Sequence, residues 1–160
     1  MNGRPHTPDG FIAHIAQVTD AIAGAPLDHV LEARLNSAFS ADSKWFADAK
    51  AWCLRGCEEG WLCAREAGGI RYGRAAPASD LLHGMSVDVV EMADVVGPHH
   101  SHPHGEVDLV IPLEGEPAFD GQPAGWKVYG QGSAHCPTVS GGTALVLYLL
   151  PGGAIEFTHG

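Results

Sequence analysis

The amino-acid sequence predicts a mainly β protein: an antiparallel β-barrel or jelly roll carrying an N-terminal helical appendage. Two observations predict it. Apolar residues recur every three to four positions up to about residue 60, and every second position beyond it. Glycine (21) and proline (11) together make up a fifth of the 160 residues, a density of turns that suits short strands rather than a helical bundle.

Each element has its own signal. Phe11, Ile12, Ile15, Val18 and Ile22 share a helical face, and Gly24-Ala25-Pro26 stops that helix. A second helix fits Leu27 to Phe39, with Leu27, Val30, Leu31 and Leu35 on one face and Asp28 near its start. Ser40-Ala41-Asp42-Ser43 reads as a loop and N-cap for a third helix, Lys44 to Glu59, which carries Trp45, Phe46, Ala49, Trp52 and Cys53 and ends at Gly60. Trp61 to Glu66 then reads as a strand, Ala67-Gly68-Gly69 as a turn and Ile70 to Arg74 as the returning strand. Further strands fit Met85 to Met92, Glu106 to Leu113, Lys127 to Tyr129, the strongly apolar Thr143 to Leu150, and Ala154 to Phe157. The expected organisation is a helical segment, 1–60, packed on a barrel domain, 61–160.

Composition excludes several function classes. With 45% hydrophobic and 18% charged residues the chain can bury a core. A formal charge of −10 argues against nucleic acid or an anionic membrane as the main partner. The longest apolar run, Ala144 to Leu150, is far short of the roughly 18 residues of a transmembrane helix. Met1 to Gly10 has no apolar signal core, so a cytoplasmic location is expected. Cys53, Cys57, Cys63 and Cys136 read as small buried side chains rather than a disulfide framework.

Four of the ten histidines fall within Gly97–Asp108. Alternate residues of a strand share a face. His100, His102, His104, Glu106 and Asp108 therefore stand opposite Val107, Leu109, Ile111 and Leu113. Imidazoles and a carboxylate gathered in a concave interior suit a divalent ion such as Zn, Fe, Mn or Ni. The expected ligands are His100, His102 and Glu106, with His135 in Gly132-Ser133-Ala134-His135 completing the set. A shifted register around Gly105 would substitute His104 for His100 and Asp108 for Glu106, and a solvated His-rich loop is the competing reading. His99 has the wrong parity and reads as a surface group. His6, His14, His29, His83 and His159 lack a motif and read as structural or exposed.

This arrangement resembles the cupin superfamily. Gly97, His100, His102 and Glu106 match its first motif, and Gly130-x-Gly132-x-x-His135 its second, although that motif's proline and asparagine are missing here. Residues 60–74, 84–90 and 119–130, His135-x-Pro137-Thr138-Val139 and Ala144 to Pro151 look like the 4-hydroxylaminobenzoate lyase family. That resemblance implies an enzyme of nitroaromatic (4-nitrobenzoate) breakdown that converts 4-hydroxylaminobenzoate into 3,4-dihydroxybenzoate (protocatechuate) and ammonia. It implies no organic cofactor, because the net change adds water and removes ammonia. By analogy a homodimer is expected.

Such a substrate is a flat anion bearing an N–OH group. Arginine is the usual partner of a carboxylate, and Arg65, Arg71 and Arg74 fall on one predicted hairpin. Trp126 and Tyr129 could wall an aromatic slot, and Lys127 could add positive charge. A metal could act as Lewis acid. Without one, His102 or His135 would be the acid and Glu106 the base, with Glu66 a further candidate acid. The alternatives are another metal-dependent cupin enzyme, a dioxygenase or isomerase of small acids, or a non-catalytic ligand-binding cupin.

Overall fold

The computed structural model describes residues 6–157. Three helices come first: α1 (Asp9–Ile22), α2 (His29–Ala38) and α3 (Lys44–Glu59). The Asp28 carboxylate accepts from the Leu31 amide at 3.0 Å, and the Ser43 hydroxyl from Phe46 at 3.2 Å, so α2 and α3 start where side chains satisfy free N–H groups. Gly60, at φ 88°, closes α3 in the left-handed region that glycine adopts without strain.

Nine strands follow: β1 (Arg65–Ala67), β2 (Ile70–Ala76), β3 (Met85–Val96), β4 (His100–His102), β5 (Glu106–Phe119), β6 (Gly125–Tyr129), β7 (Ser133–His135), β8 (Thr138–Pro151) and β9 (Glu156–Phe157). They form two antiparallel sheets, a six-stranded one ordered β1-β2-β3-β8-β5-β6 and a three-stranded one ordered β7-β4-β9. The predicted mainly β architecture with N-terminal helices is what the structure shows.

The large sheet is covered on both faces. Val87, Val89, Val107, Leu109, Leu145 and Leu147 meet the apolar sides of the three helices. Val90, Met92, Val110, Val146 and Tyr148 point the other way, into the second core. This double burial is why Ala144–Leu150 is apolar without alternation. Between α1 and α3, the His14 and Trp45 rings stack at 4.8 Å and each side chain bonds the other's backbone carbonyl, a structural role for His14.

Helix α2 seals the edge of the large sheet. The Asn36 amide donates to the Trp126 carbonyl (3.0 Å) and accepts from the Trp126 N–H (2.8 Å), while Glu32 accepts from the Val128 N–H (2.9 Å). Side chains thus satisfy backbone groups that an open edge strand would expose.

Three expectations need correction. The strand expected over Trp61–Glu66 begins only at Arg65. Trp61, Leu62 and Cys63 instead fold beneath α3, where the Leu62 amide donates to the Gly56 carbonyl and Trp61 packs on Phe11, so helix packing replaces strand pairing. Strand β7 was not foreseen, because three residues are too short for a periodic signal. Of the cysteines, Cys53 and Cys63 are buried, but Cys136 is exposed. Its neighbour His135 points inward, and alternation turns Cys136 out. Among the described residues no helix is long and apolar enough to cross a membrane. His159 lies outside the described residues.

Replacing Asn36 by alanine leaves the Trp126 amide and carbonyl unpaired. The expected outcome is a loss of about 1–3 kcal/mol of stability, read as a lower urea midpoint at unchanged slope.

Candidate metal centre and adjoining cavity

A tight turn builds the site. Gly105, at φ 89°, donates to the His102 carbonyl at 3.1 Å and reverses the chain between β4 and β5. A Cβ at Gly105 would lie 2.8 Å from the Tyr129 carbonyl, so only glycine fits. The turn carries β4 into the small sheet and β5 into the large one, with His102 and Glu106 facing each other across the interior. Pairing of β4 with β7 sets His100 opposite His135.

His100, His102, Glu106 and His135 thereby converge, their ligand atoms all within 4.8 Å of one another. Glu106 Oε1 lies 3.8 Å from His100 Nε2 and 3.3 Å from His102 Nε2, and Oε2 lies 3.7 Å from His135 Nε2. The His100 and His135 Nε2 atoms are 3.1 Å apart. Ligands about 2.1 Å from one ion stand about 3.0–3.4 Å from each other; the 3.1 and 3.3 Å separations meet that range, and the 3.7 and 3.8 Å ones exceed it by a few tenths of an ångström. Among the described residues, both Glu106 oxygens and His102 Nε2 are buried without a hydrogen-bond partner. Three imidazoles and a carboxylate form a donor set for Zn, Fe, Mn or Ni.

The surroundings orient these groups. Ser133 Oγ bonds His102 Nδ1 at 2.9 Å and donates to the Gly130 carbonyl. Asp120 accepts from His135 Nδ1, the Tyr129 hydroxyl and the Thr138 amide. Such outer partners fix ring orientation at metal sites. Burial alone would raise the Glu106 carboxyl, but the neighbouring His100, His102 and His135 imidazoles hold it well below the usual carboxylate range. Burial opposes the charge on His135, yet Asp120 and Glu106 lift its imidazole to about 9. This is an electrostatic setting that draws positive charge. Asp108 is fully buried beside Glu106, and burial and that neighbouring charge push its carboxyl well up.

Beside the cluster lies a cavity of about 540 Å³ with a mostly apolar lining. His100 reaches its wall from the small sheet and Arg65 from β1, the outer strand of the large one. Arg74 also lines it but is spoken for: its guanidinium grips Asp88 at 2.9 and 3.3 Å and donates to the Gly153 carbonyl.

The structure separates the other predicted residues. His104 is exposed, so the register is the one that uses His100 and Glu106. Glu66 and Arg71, paired across the β1–β2 hairpin, are not among the cavity-lining residues, and Arg71 bonds Glu91 at 3.0 Å. Trp126 is fully buried against Trp45 on the helix side, because it lies opposite Leu109. Lys127 lies over the Tyr129 ring rather than in the cavity wall, and Tyr129 packs on His102 and His135. Sequence reasoning missed Asp120 and Ser133. Asp120-Gly121 carries only a turn signal, and nothing in the spacing ties it to His135.

A sequence profile described as "PnbB: 4-hydroxylaminobenzoate lyase" matches residues 13–157. A 4-hydroxylaminobenzoate lyase of Pseudomonas putida is 30% identical, over 98% of this chain and 97% of its own length. Another from a Nocardioides strain is 30% identical over 93% and 91%. Among solved structures, an RmlC-like cupin protein from Ralstonia eutropha superposes with a TM-score of 0.47 at 12% identity, over 60% of this chain and 64% of that one. The match to the profile and the near full-length kinship with both relatives show that this chain belongs to the 4-hydroxylaminobenzoate lyase family.

Proposed function

We propose that this protein is a metal-dependent lyase that converts 4-hydroxylaminobenzoate and water into 3,4-dihydroxybenzoate and ammonia. The observation that carries the reading is the cavity itself. It is an apolar slot in contact with the His-Glu cluster, and its charged lining beyond that cluster is Arg65, Arg74 and Asp88. Arg74 and Asp88 neutralise each other, leaving Arg65 as the cation of this lining without an ion-pair partner among the described residues, in a chain of formal charge −10. That balance suits an aromatic monoanion.

Arg65 has no ion pair or hydrogen bond among the described residues, so its fork is free to take the substrate carboxylate bidentately. Ile70, Met92, Leu150 and Phe157 supply apolar walls for the ring. A divalent ion held by His100, His102, Glu106 and His135 would supply a Lewis acid and lower the pKa of bound water. Since those four side chains aim at one point, they act as ligands rather than as a separate acid and base. Asp120 and Ser133 hold His135 and His102 in that pose. Glu66, Arg71, Trp126 and Lys127 do not line this cavity and take no part in the reading.

The chemistry balances without a redox partner. The N–O bond breaks with its electron pair on oxygen, water adds at the ring carbon beside the nitrogen-bearing one, and hydrolysis of the resulting imine releases ammonia. Loss of the ring proton then restores the aromatic ring.

Metal-loaded protein given 4-hydroxylaminobenzoate under anaerobic conditions is expected to release one ammonia per catechol formed. Absence of ammonia from folded, loaded protein refutes the reading, and a requirement for oxygen points to a dioxygenase instead. Arg65→Gln should raise KM about 10- to 100-fold while changing kcat little, as removal of a binding contact remote from the chemistry does. In elemental analysis, His102→Ala and His135→Ala should each lose most of the bound metal while circular dichroism stays native. Unchanged metal content in both would exclude this ligand set.

A further inference from the structure

Tyr148 has a feature that the reaction above does not use. Its side chain is only 5% exposed and lines the cavity together with His100. It stands on β8, a central strand, between Asp88 of β3 and Asp108 of β5 in register, with Phe119 packed on its ring at 6.2 Å. Among the described residues its hydroxyl has no hydrogen-bond partner, whereas a buried tyrosine hydroxyl ordinarily has one. Because Tyr148 lines the cavity, a polar atom of a molecule bound there is placed to supply that partner.

We propose that Tyr148 is a catalytic residue whose hydroxyl donates a hydrogen bond to the oxygen of the substrate's hydroxylamino group. The proposal rests on the lyase reading for the identity of that oxygen. As the N–O bond breaks, its electron pair departs with the oxygen, and the electron deficit spreads over nitrogen and the ring. The oxygen gains negative charge, so the hydrogen bond from Tyr148 is stronger in the transition state than in the bound substrate. The hydroxide leaves as water by taking up the proton released when water adds to the ring, and Tyr148 keeps its own proton throughout. Burial and the Glu106 and Asp108 carboxylates push its phenol well up, so it remains a donor.

The test is Tyr148→Phe, which keeps the ring and its packing on Phe119 and removes only the hydroxyl. With 4-hydroxylaminobenzoate, kcat should fall about 10- to 100-fold while KM rises about three- to tenfold, the share of the contact already made in the bound substrate. A binding arm needs no turnover: affinities of metal-loaded protein for 4-(hydroxymethyl)benzoate, which places a stable hydroxyl at the same position, and for 4-methylbenzoate, which lacks it. Wild type should prefer the hydroxymethyl compound about three- to tenfold, and the variant should lose that preference while binding 4-methylbenzoate as before. An unchanged kcat, no preference in wild type, a preference kept by the variant, or weakened 4-methylbenzoate binding would each overturn the proposal. If wild type releases no ammonia yet the preference vanishes with the hydroxyl, the lyase reading falls and the Tyr148 contact stands.

Discussion

A fully buried carboxylate shapes this protein. Glu106 sits at 0% exposure with neither oxygen hydrogen-bonded among the described residues, and an uncompensated charge in such a place costs several kcal/mol. Compensation comes from His100, His102 and His135, all carried by strands only three residues long. Such strands have little pairing of their own to hold them. The small sheet keeps its seat over the large one because its histidines face Glu106 from above, while Phe119, Val139 and Tyr148 pack beneath. The same convergence that offsets the buried charge also gathers four donor atoms around one point.

The rest of the fold makes that convergence rigid. Strand β8 lies between β3 and β5 and is buried on both faces, so the large sheet has fixed neighbours above and below. The helices close its outer face, and α2 supplies the hydrogen bonds that the edge of β6 would otherwise lack. Tyr129 at the end of β6 is thereby held against His135 and Asp120, linking the helical layer to the side chain that aims His135. Sites built on such a scaffold are held more closely than sites on loops.

Charge is distributed to match. The formal net charge of −10 would repel an anion, yet in the cavity lining Arg74 is cancelled by Asp88, whereas Arg65 has no such partner among the described residues. Around it the lining is mostly apolar, with His100 reaching in from the His-Glu cluster.

Periodicity and spacing alone determined the order of three helices and a mainly β remainder, the ends of α3 at Lys44 and Glu59, the N-cap signal ending at Ser43, and the shared face of His100, His102 and Glu106. These are local matters: each depends on residues a few positions apart. The tertiary structure decided what depends on which strands meet. It chose His100 over His104 through the turn at Gly105, brought Asp120 to His135 across fifteen residues, and sent Trp126 into the helix core by pairing it with Leu109. It also divided the hairpin arginines, giving Arg65 to the cavity, Arg74 to Asp88 and Arg71 to Glu91. Alternation along a strand says which side chains share a face. Only the packing of one sheet on another says what that face encloses.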